Sequence, residues 1–147
     1  MGNVVLASVA LGLVWNVAAV SLMGGQAADA FAPGWLIAGA LAGVAVGVFT
    51  VWSRRRRDGS ERLVDGIAAY YLGMFVYWAG FVVVQRAILC VQHGGWTDFD
   101  LRDHLSLILI FVTYGTVWFG VVLIPLCFLS RYVVWKIYTG RRAPGQA

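Results

Sequence analysis

Residues 105–129 read LSLILIFVTYGTVWFGVVLIPLCFL, a run of twenty-five residues without one charged side chain. A helix needs about 20 apolar residues to cross the hydrocarbon core of a bilayer, so this run is long enough to span it. Three further apolar stretches precede it, at residues 4–23, 35–52 and 63–90, the last with Asp65 in its first turn. Because a helix satisfies its own backbone hydrogen bonds in lipid, the sequence predicts an all-α fold, a polytopic transmembrane bundle of four helices.

The composition of the whole chain also indicates a membrane protein. Of its 147 residues, 61% are hydrophobic and 12% are charged, and the mean hydropathy is +0.78. An average soluble domain is about half apolar and about a quarter charged, so a water-soluble globule and a disordered chain are both excluded. The length leaves no room for a separate soluble domain. We therefore expect a single integral membrane domain over residues 1–147, with a cytoplasmic tail at residues 130–147.

The basic residues are distributed unevenly between the two sides of the predicted bundle. Nine lysines and arginines fall in the second connection and the tail, whereas only Arg86 and Arg102 fall on the opposite side. Cytoplasmic loops carry the excess of basic residues, so we expect both termini in the cytoplasm and the chain in the inner membrane. Anionic lipid of the inner leaflet, rather than nucleic acid, then explains the net charge of +4. The basic residues assigned to this leaflet are Arg54, Arg55, Arg56, Arg57, Arg131, Lys136, Arg141 and Arg142.

Two segments leave alternatives open. Residues 1–32 would be a signal peptide if Ala28-Asp29-Ala30 were a cleavage site, and three spans would then remain. Against this, no lysine or arginine precedes the apolar run, and the run exceeds the about 7–15 residues usual in such a peptide. Residues 131–142 mix apolar and basic side chains, so they form either a continuation of the fourth helix or a short helix on the inner leaflet.

Small residues on the second span predict a helix contact. Gly39, Gly43 and Gly47 are each four residues apart, so they share one face of a helix and remove side chains from it. Helices in lipid associate through such close approaches and through interhelical hydrogen bonds, since hydrophobicity does not drive them together. This face packs either against another helix of the same chain or against a second copy.

The third span carries a second stripe, in which Gly66, Tyr70, Gly73, Tyr77 and Gly80 alternate four and three residues apart. A buried tyrosine hydroxyl needs a hydrogen-bond partner, which we expect from the first or the fourth span. A similar stripe on the fourth span favours packing of the third span against the fourth. Alternatively, hydroxyl groups on the fourth span bond to their own backbone. The candidate partners are Asn16, Thr113 and Thr116, and the stripe of the fourth span consists of Ser106, Thr113 and Gly120.

Residues with catalytic or metal-binding chemistry are few. Cys90 and Cys127 are expected near opposite ends of the bundle, too far apart for a disulfide. No span has a histidine in its interior, which argues against haem, and the outer histidines and aspartates match no metal motif. Arg86, Asp103 and His104 form a possible polar site. We therefore expect no enzymatic activity, no metal and no cofactor.

Three hypotheses about function follow. The first is a non-enzymatic accessory or assembly subunit that packs its glycine-rich faces against helices of itself or of a partner in a larger membrane complex. The second is a homo-oligomeric pore, such as a phage holin-like lysis protein. The third is a small transporter that uses Arg86, Asp103 and His104, which requires these residues to converge on a cavity. Short connections, small-residue faces and the lack of recognisable chemistry favour the first.

Overall fold

The computed structural model describes residues 2–22, 32–56, 62–93 and 101–140. Its regular structure consists of four helices, each long and apolar enough to cross a membrane. The prediction of an all-α chain with four such helices is therefore confirmed. The possible cleavage site at residues 28–30 lies outside the described residues. The helices are α1 (Gly2–Leu22), α2 (Pro33–Arg55), α3 (Leu63–His93) and α4 (Leu101–Gly140).

Two of the helices begin at recognisable local signals. Pro33 is the first residue of α2, where its missing N–H costs nothing and its fixed φ suits a helix. The carbonyl oxygen of Arg62 accepts from the backbone N–H groups of Asp65 and Gly66, at 3.0 and 3.2 Å, which closes the first turn of α3. Asp65 is the acidic residue of that turn, where a negative charge interacts favourably with the helix dipole.

The fourth helix is longer than the apolar run that predicts it. It has 40 residues and, at 1.5 Å per residue, is about 60 Å long. Residues 130–140, expected in a tail, continue this helix, and Ser130, Arg131 and Val134 in it are buried. The charge of Arg131 marks the end of the uncharged run, but it does not end the helix, because this segment packs against α1 and α2. Of the two alternatives for residues 131–142, the structure therefore shows a continuation of the fourth helix as far as Gly140.

Successive helices run antiparallel and pack against each other. The bundle closes where α4 packs against α1, and α2 and α4 also approach each other across it. Between the described parts of α1 and α3, which form the other diagonal, no Cα pair lies within 8 Å. We call the end of the bundle that contains Val4, Arg54 and Arg131 the basic end. The end that contains Arg86 and His104 is called the histidine end.

Small residues of α2 face large residues of α3 in the core. Ala38 and Ala42 are buried on α2, opposite the buried rings of Tyr77 and Trp78 on α3. A small side chain opposite a large one fills the space between two helices without strain, and α2 and α3 pack closely as a result. Leu123 of α4 completes this cluster.

Candidate functional site

The glycine stripe of α2 is covered by α1 of the same chain. A Cβ atom on Gly43 would overlap the carbonyl oxygen of Ser8, and one on Gly47 would overlap the Ser8 hydroxyl. A Cβ atom on Gly39 would come within 2.9 Å of the Asn16 Cβ atom. The backbones of α1 and α2 therefore meet directly. A second copy cannot use this face while α1 occupies it. Of the two alternatives for this face, the structure shows packing within the chain.

The matching face of α1 was not predicted from the sequence. Val4, Ser8, Gly12, Asn16 and Val20 are all buried and lie four residues apart. A Cβ atom on Gly12 would overlap the carbonyl oxygen of Gly39 and would lie within 2.9 Å of the Gly43 Cα atom. The signal was present in the sequence, because Ser8 and Gly12 repeat the spacing of small residues that marks α2.

The glycines of α3 divide between two neighbours. Cβ atoms on Gly73 and Gly80 would meet side chains of α2, Val46 at 2.8 Å and Leu41 at 3.3 Å respectively. Gly66 faces α4 instead, and a Cβ atom there would overlap the ring of Phe128. The third span therefore packs against the second span as well as the fourth. Gly120 of α4 is buried, and the nearest atoms to a Cβ there belong to its own helix, in Ile124 and Thr116.

Both tyrosines of the α3 stripe are buried and donate hydrogen bonds to other helices. The Tyr77 hydroxyl donates to Oδ1 of Asn16 at 2.7 Å, which connects α3 to α1 across the diagonal. The Tyr70 hydroxyl donates to Oγ1 of Thr116 on α4 at 3.4 Å. Asn16 and Thr116 are thus the partners among the three candidates. Thr113 is exposed and donates to the carbonyl oxygen of Leu109 in its own helix at 2.8 Å.

Two arginines assigned to the leaflet surface are buried at the basic end. Arg131 is 0% exposed and Arg54 is 6% exposed, so both side chains lie inside the bundle rather than on its surface. A helical side chain leans towards the N-terminus of its helix, which directs Arg131 back into the bundle. Its Nη2 donates to Oγ of Ser53 at 3.4 Å. The nearby carboxylate of Asp65 attracts its charge.

The other described basic residues at the basic end are exposed, unlike Arg54 and Arg131. Arg55, Arg56 and Lys136 are exposed, as the sequence analysis expects. The Cζ atom of Arg56 lies 4.3 Å from the ring centroid of Trp52, which is close enough for a cation–π interaction. Arg57, Arg141 and Arg142 lie outside the described residues.

The structure brings together two of the three residues of the possible polar site, Arg86 and His104. The Nε atom of Arg86 donates to Nε2 of His104 at 2.9 Å, and His104 is 6% exposed. Asp103 is exposed. Among the described residues, no group of three potential ligands could hold a metal ion, and Cys90 and Cys127 are free thiols.

An apolar cavity of about 70 Å³ opens between α1, α3 and α4. We call it the α4 cleft. The indole of Trp78 lies against the ring of Phe111 there, with centroids 4.5 Å apart. The buried Nε1 of Trp78 has no hydrogen-bond acceptor in the described part of the chain. The α4 cleft is lined by Ala19, Met74, Tyr77, Trp78, Phe111, Tyr114, Gly115, Phe119 and Leu123.

Large aromatic side chains continue from the α4 cleft onto the outer face of α4. Tyr114 is 51% exposed and Trp118 is 66% exposed, and their ring centroids are 5.9 Å apart. Neither the Tyr114 hydroxyl nor the Trp118 N–H has a hydrogen-bond partner among residues 2–22, 32–56, 62–93 and 101–140. We call these two residues the aromatic pair. The sequence places Trp118 deep in its span, where its N–H needs a partner, but it does not show that Tyr114 lies beside it on an uncovered face.

Comparisons of the chain with protein-family models, with curated proteins and with solved structures gave no match.

Proposed function

We propose that this chain is a non-enzymatic protein of the inner membrane that acts as an accessory or assembly subunit of a larger membrane complex. Both termini lie in the cytoplasm in this proposal. Four helices of sufficient length and hydropathy support the membrane position. The excess of basic residues at the second connection and in the C-terminal segment supports the orientation.

The observation that carries the proposed function is the depth of the aromatic pair. Gly115 faces Met74 of α3, and the adjacent Gly73 faces Val46, close to the middle of α2. Tyr114 therefore lies at mid-height in the bundle, and Trp118 lies one turn further along α4. With the helices in a bilayer, a hydroxyl and an indole N–H would lie in the hydrocarbon without an acceptor from the described residues.

A polar group in hydrocarbon is costly unless it is hydrogen-bonded. The cost disappears if a helix of a partner protein packs on the outer face of α4 and supplies acceptors from its own side chains or backbone. Interhelical hydrogen bonds in membranes contribute about 0.6 kcal/mol on average and up to about 1.7 kcal/mol. The partner in this proposal is thus a transmembrane helix with acceptors at mid-depth, and it binds α4 rather than the glycine face of α2.

The proposal is tested by measuring the mass of the tagged protein after gentle solubilisation of native membranes. The test variant combines Tyr114→Phe with Trp118→Phe, which removes both polar atoms and keeps aromatic rings. The matched control combines Tyr71→Phe with Tyr132→Phe, which removes two hydroxyls from half-exposed residues nearer the basic end. We expect the unmodified chain and the control to elute with a second protein, and the test variant to lose most of it.

Three outcomes would overturn the proposal. A monomer of 16.0 kDa from every preparation would leave no partner to bind. An assembly that contains only multiples of this mass would favour the homo-oligomeric pore. A partner that the test variant and the control retain equally would place the contact away from the aromatic pair.

A further inference from the structure

A groove at the basic end separates the first turn of α1 from the last turns of α2. Its floor is formed by Val4 and Val51, which are each 7% exposed, and its walls include Val5 and Val48. Its volume is about 400 Å³, which lies within the about 300–1,000 Å³ typical of sites for small ligands. We call it the valine groove. Because its sides are branched apolar side chains, it suits a hydrocarbon chain rather than a polar molecule.

The mouth of the valine groove is basic. Arg55 and Arg56 line it together with Trp52. Both arginines are exposed, and neither forms an ion pair within the described part of the chain. Trp52 is 49% exposed and lies under the Arg56 guanidinium, in the arrangement of an indole at a membrane interface.

We propose that the valine groove binds one anionic phospholipid of the inner leaflet. One acyl chain of this lipid lies along Val48 and Val51, and its phosphate receives hydrogen bonds from Arg55 and Arg56. The planar guanidinium group matches phosphate oxygens in a bidentate geometry. This inference rests on the membrane position proposed above, but it does not depend on a partner protein, because the groove lies between α1 and α2 and the aromatic pair lies on α4.

The combination of groove and charge distinguishes this lipid from other ligands. A free phosphate ion would use the two arginines but not the valines. A zwitterionic lipid would fill the groove equally well, but its head group would bring a positive charge next to the two arginines. An anionic phospholipid matches both parts of the site. Its acyl chain fits the groove, and its phosphate, which no positive head group neutralises, reaches the two arginines.

The test measures lipid bound to the purified, folded chain in detergent by native mass spectrometry. Phosphatidylglycerol is added and compared with phosphatidylethanolamine of the same acyl chains and with inorganic phosphate. Arg55→Gln combined with Arg56→Gln removes the head-group contacts. Arg62→Gln combined with Lys136→Gln is the matched control, because it removes two exposed charges at the same end outside the groove. Val48→Phe fills the groove and leaves both arginines in place.

We expect one phosphatidylglycerol per chain, bound more tightly than phosphatidylethanolamine, and no retained phosphate. The double arginine variant should bind it about thirtyfold more weakly, the effect of two basic residues on an anionic head group. The control should change binding less than about twofold, and Val48→Phe should weaken the binding of both lipids.

Equal loss in the control and the double arginine variant would overturn the proposal, as would equal binding of the two lipids. Retention of inorganic phosphate alone would reduce the site to an ion contact and would also overturn it. The thermal unfolding of each variant is recorded in parallel, and Val48→Phe keeps the groove testable if the arginine variants unfold. If the mass measurement found no partner protein, the proposed function would fail, whereas lipid binding to the purified chain would leave this inference standing.

Discussion

The contact between α1 and α2 and the contact between α3 and α4 are built in opposite ways. In the first, glycines on both helices bring backbone against backbone, so that a Cβ atom on Gly12 would overlap a carbonyl oxygen of α2. In the second, glycines receive side chains from the other helix, and Gly115 lies against the terminal methyl of Met74. The same residue type thus makes a rigid contact in one place and an adjustable one in the other. Whether a glycine contact is rigid or adjustable depends on whether the neighbouring atom can move.

The largest effect on stability is expected when one methyl group is added at the rigid contact between α1 and α2. We expect Gly12→Ala to destabilise the protein by about 3 kcal/mol, the upper range for overpacking, because the atoms in its way belong to the backbone of α2. The free energy of unfolding is measured by titrating the detergent-solubilised protein with SDS. Stability unchanged within about 0.5 kcal/mol would mean that α1 and α2 are further apart than described.

A smaller effect is expected where α1 is held by a hydrogen bond rather than by close packing. Tyr77→Phe removes the 2.7 Å bond to Asn16 and should cost about 1 kcal/mol, within the range measured for interhelical hydrogen bonds in membranes. Tyr71→Phe is the control, since this tyrosine is half-exposed and makes no hydrogen bond with the described residues. Equal effects of the two changes would show that the Tyr77 bond contributes nothing specific.

The smallest effect is expected at the adjustable contact. Gly115→Ala makes the same chemical change as Gly12→Ala, but the added Cβ atom meets only Cε of Met74. A methionine side chain is flexible, and the α4 cleft gives it room to move. The free energy of unfolding should change by no more than about 0.5 kcal/mol, as for a substitution that disturbs no packing. A loss comparable to that of Gly12→Ala would remove the distinction between the two contacts.

The sequence predicts the helices well because a helix that can cross hydrocarbon needs a certain length and composition, and both are read directly from the sequence. The starts and ends of α1, α2 and α3 fall within three residues of the predicted spans. The C-terminal end of α4 does not, because the sequence marks where the charges begin, whereas the helix ends where packing no longer supports it. Arg131 illustrates the difference, since its charge suggests a surface position and its contacts with Ser53 and Phe49 are tertiary.

The candidate sites were predictable only in part. The partner of Tyr77 could be narrowed to a few polar residues, because few of them exist at the right depth, and Asn16 was among them. The face of α1 around Gly12 escaped notice because it contains one glycine rather than three. The aromatic pair and the valine groove depend on which faces remain uncovered after the helices pack, and the sequence of a single helix does not contain that information.

Pro125 lies inside α4, and it has no N–H to donate to the carbonyl oxygen of Val121, one turn earlier. α4 therefore lacks one backbone hydrogen bond just beyond the aromatic pair, and the helix bends most easily at that position. Bending at this point would move the part of α4 that precedes Pro125 and would change the width of the α4 cleft, while the buried segment around Arg131 stayed in place.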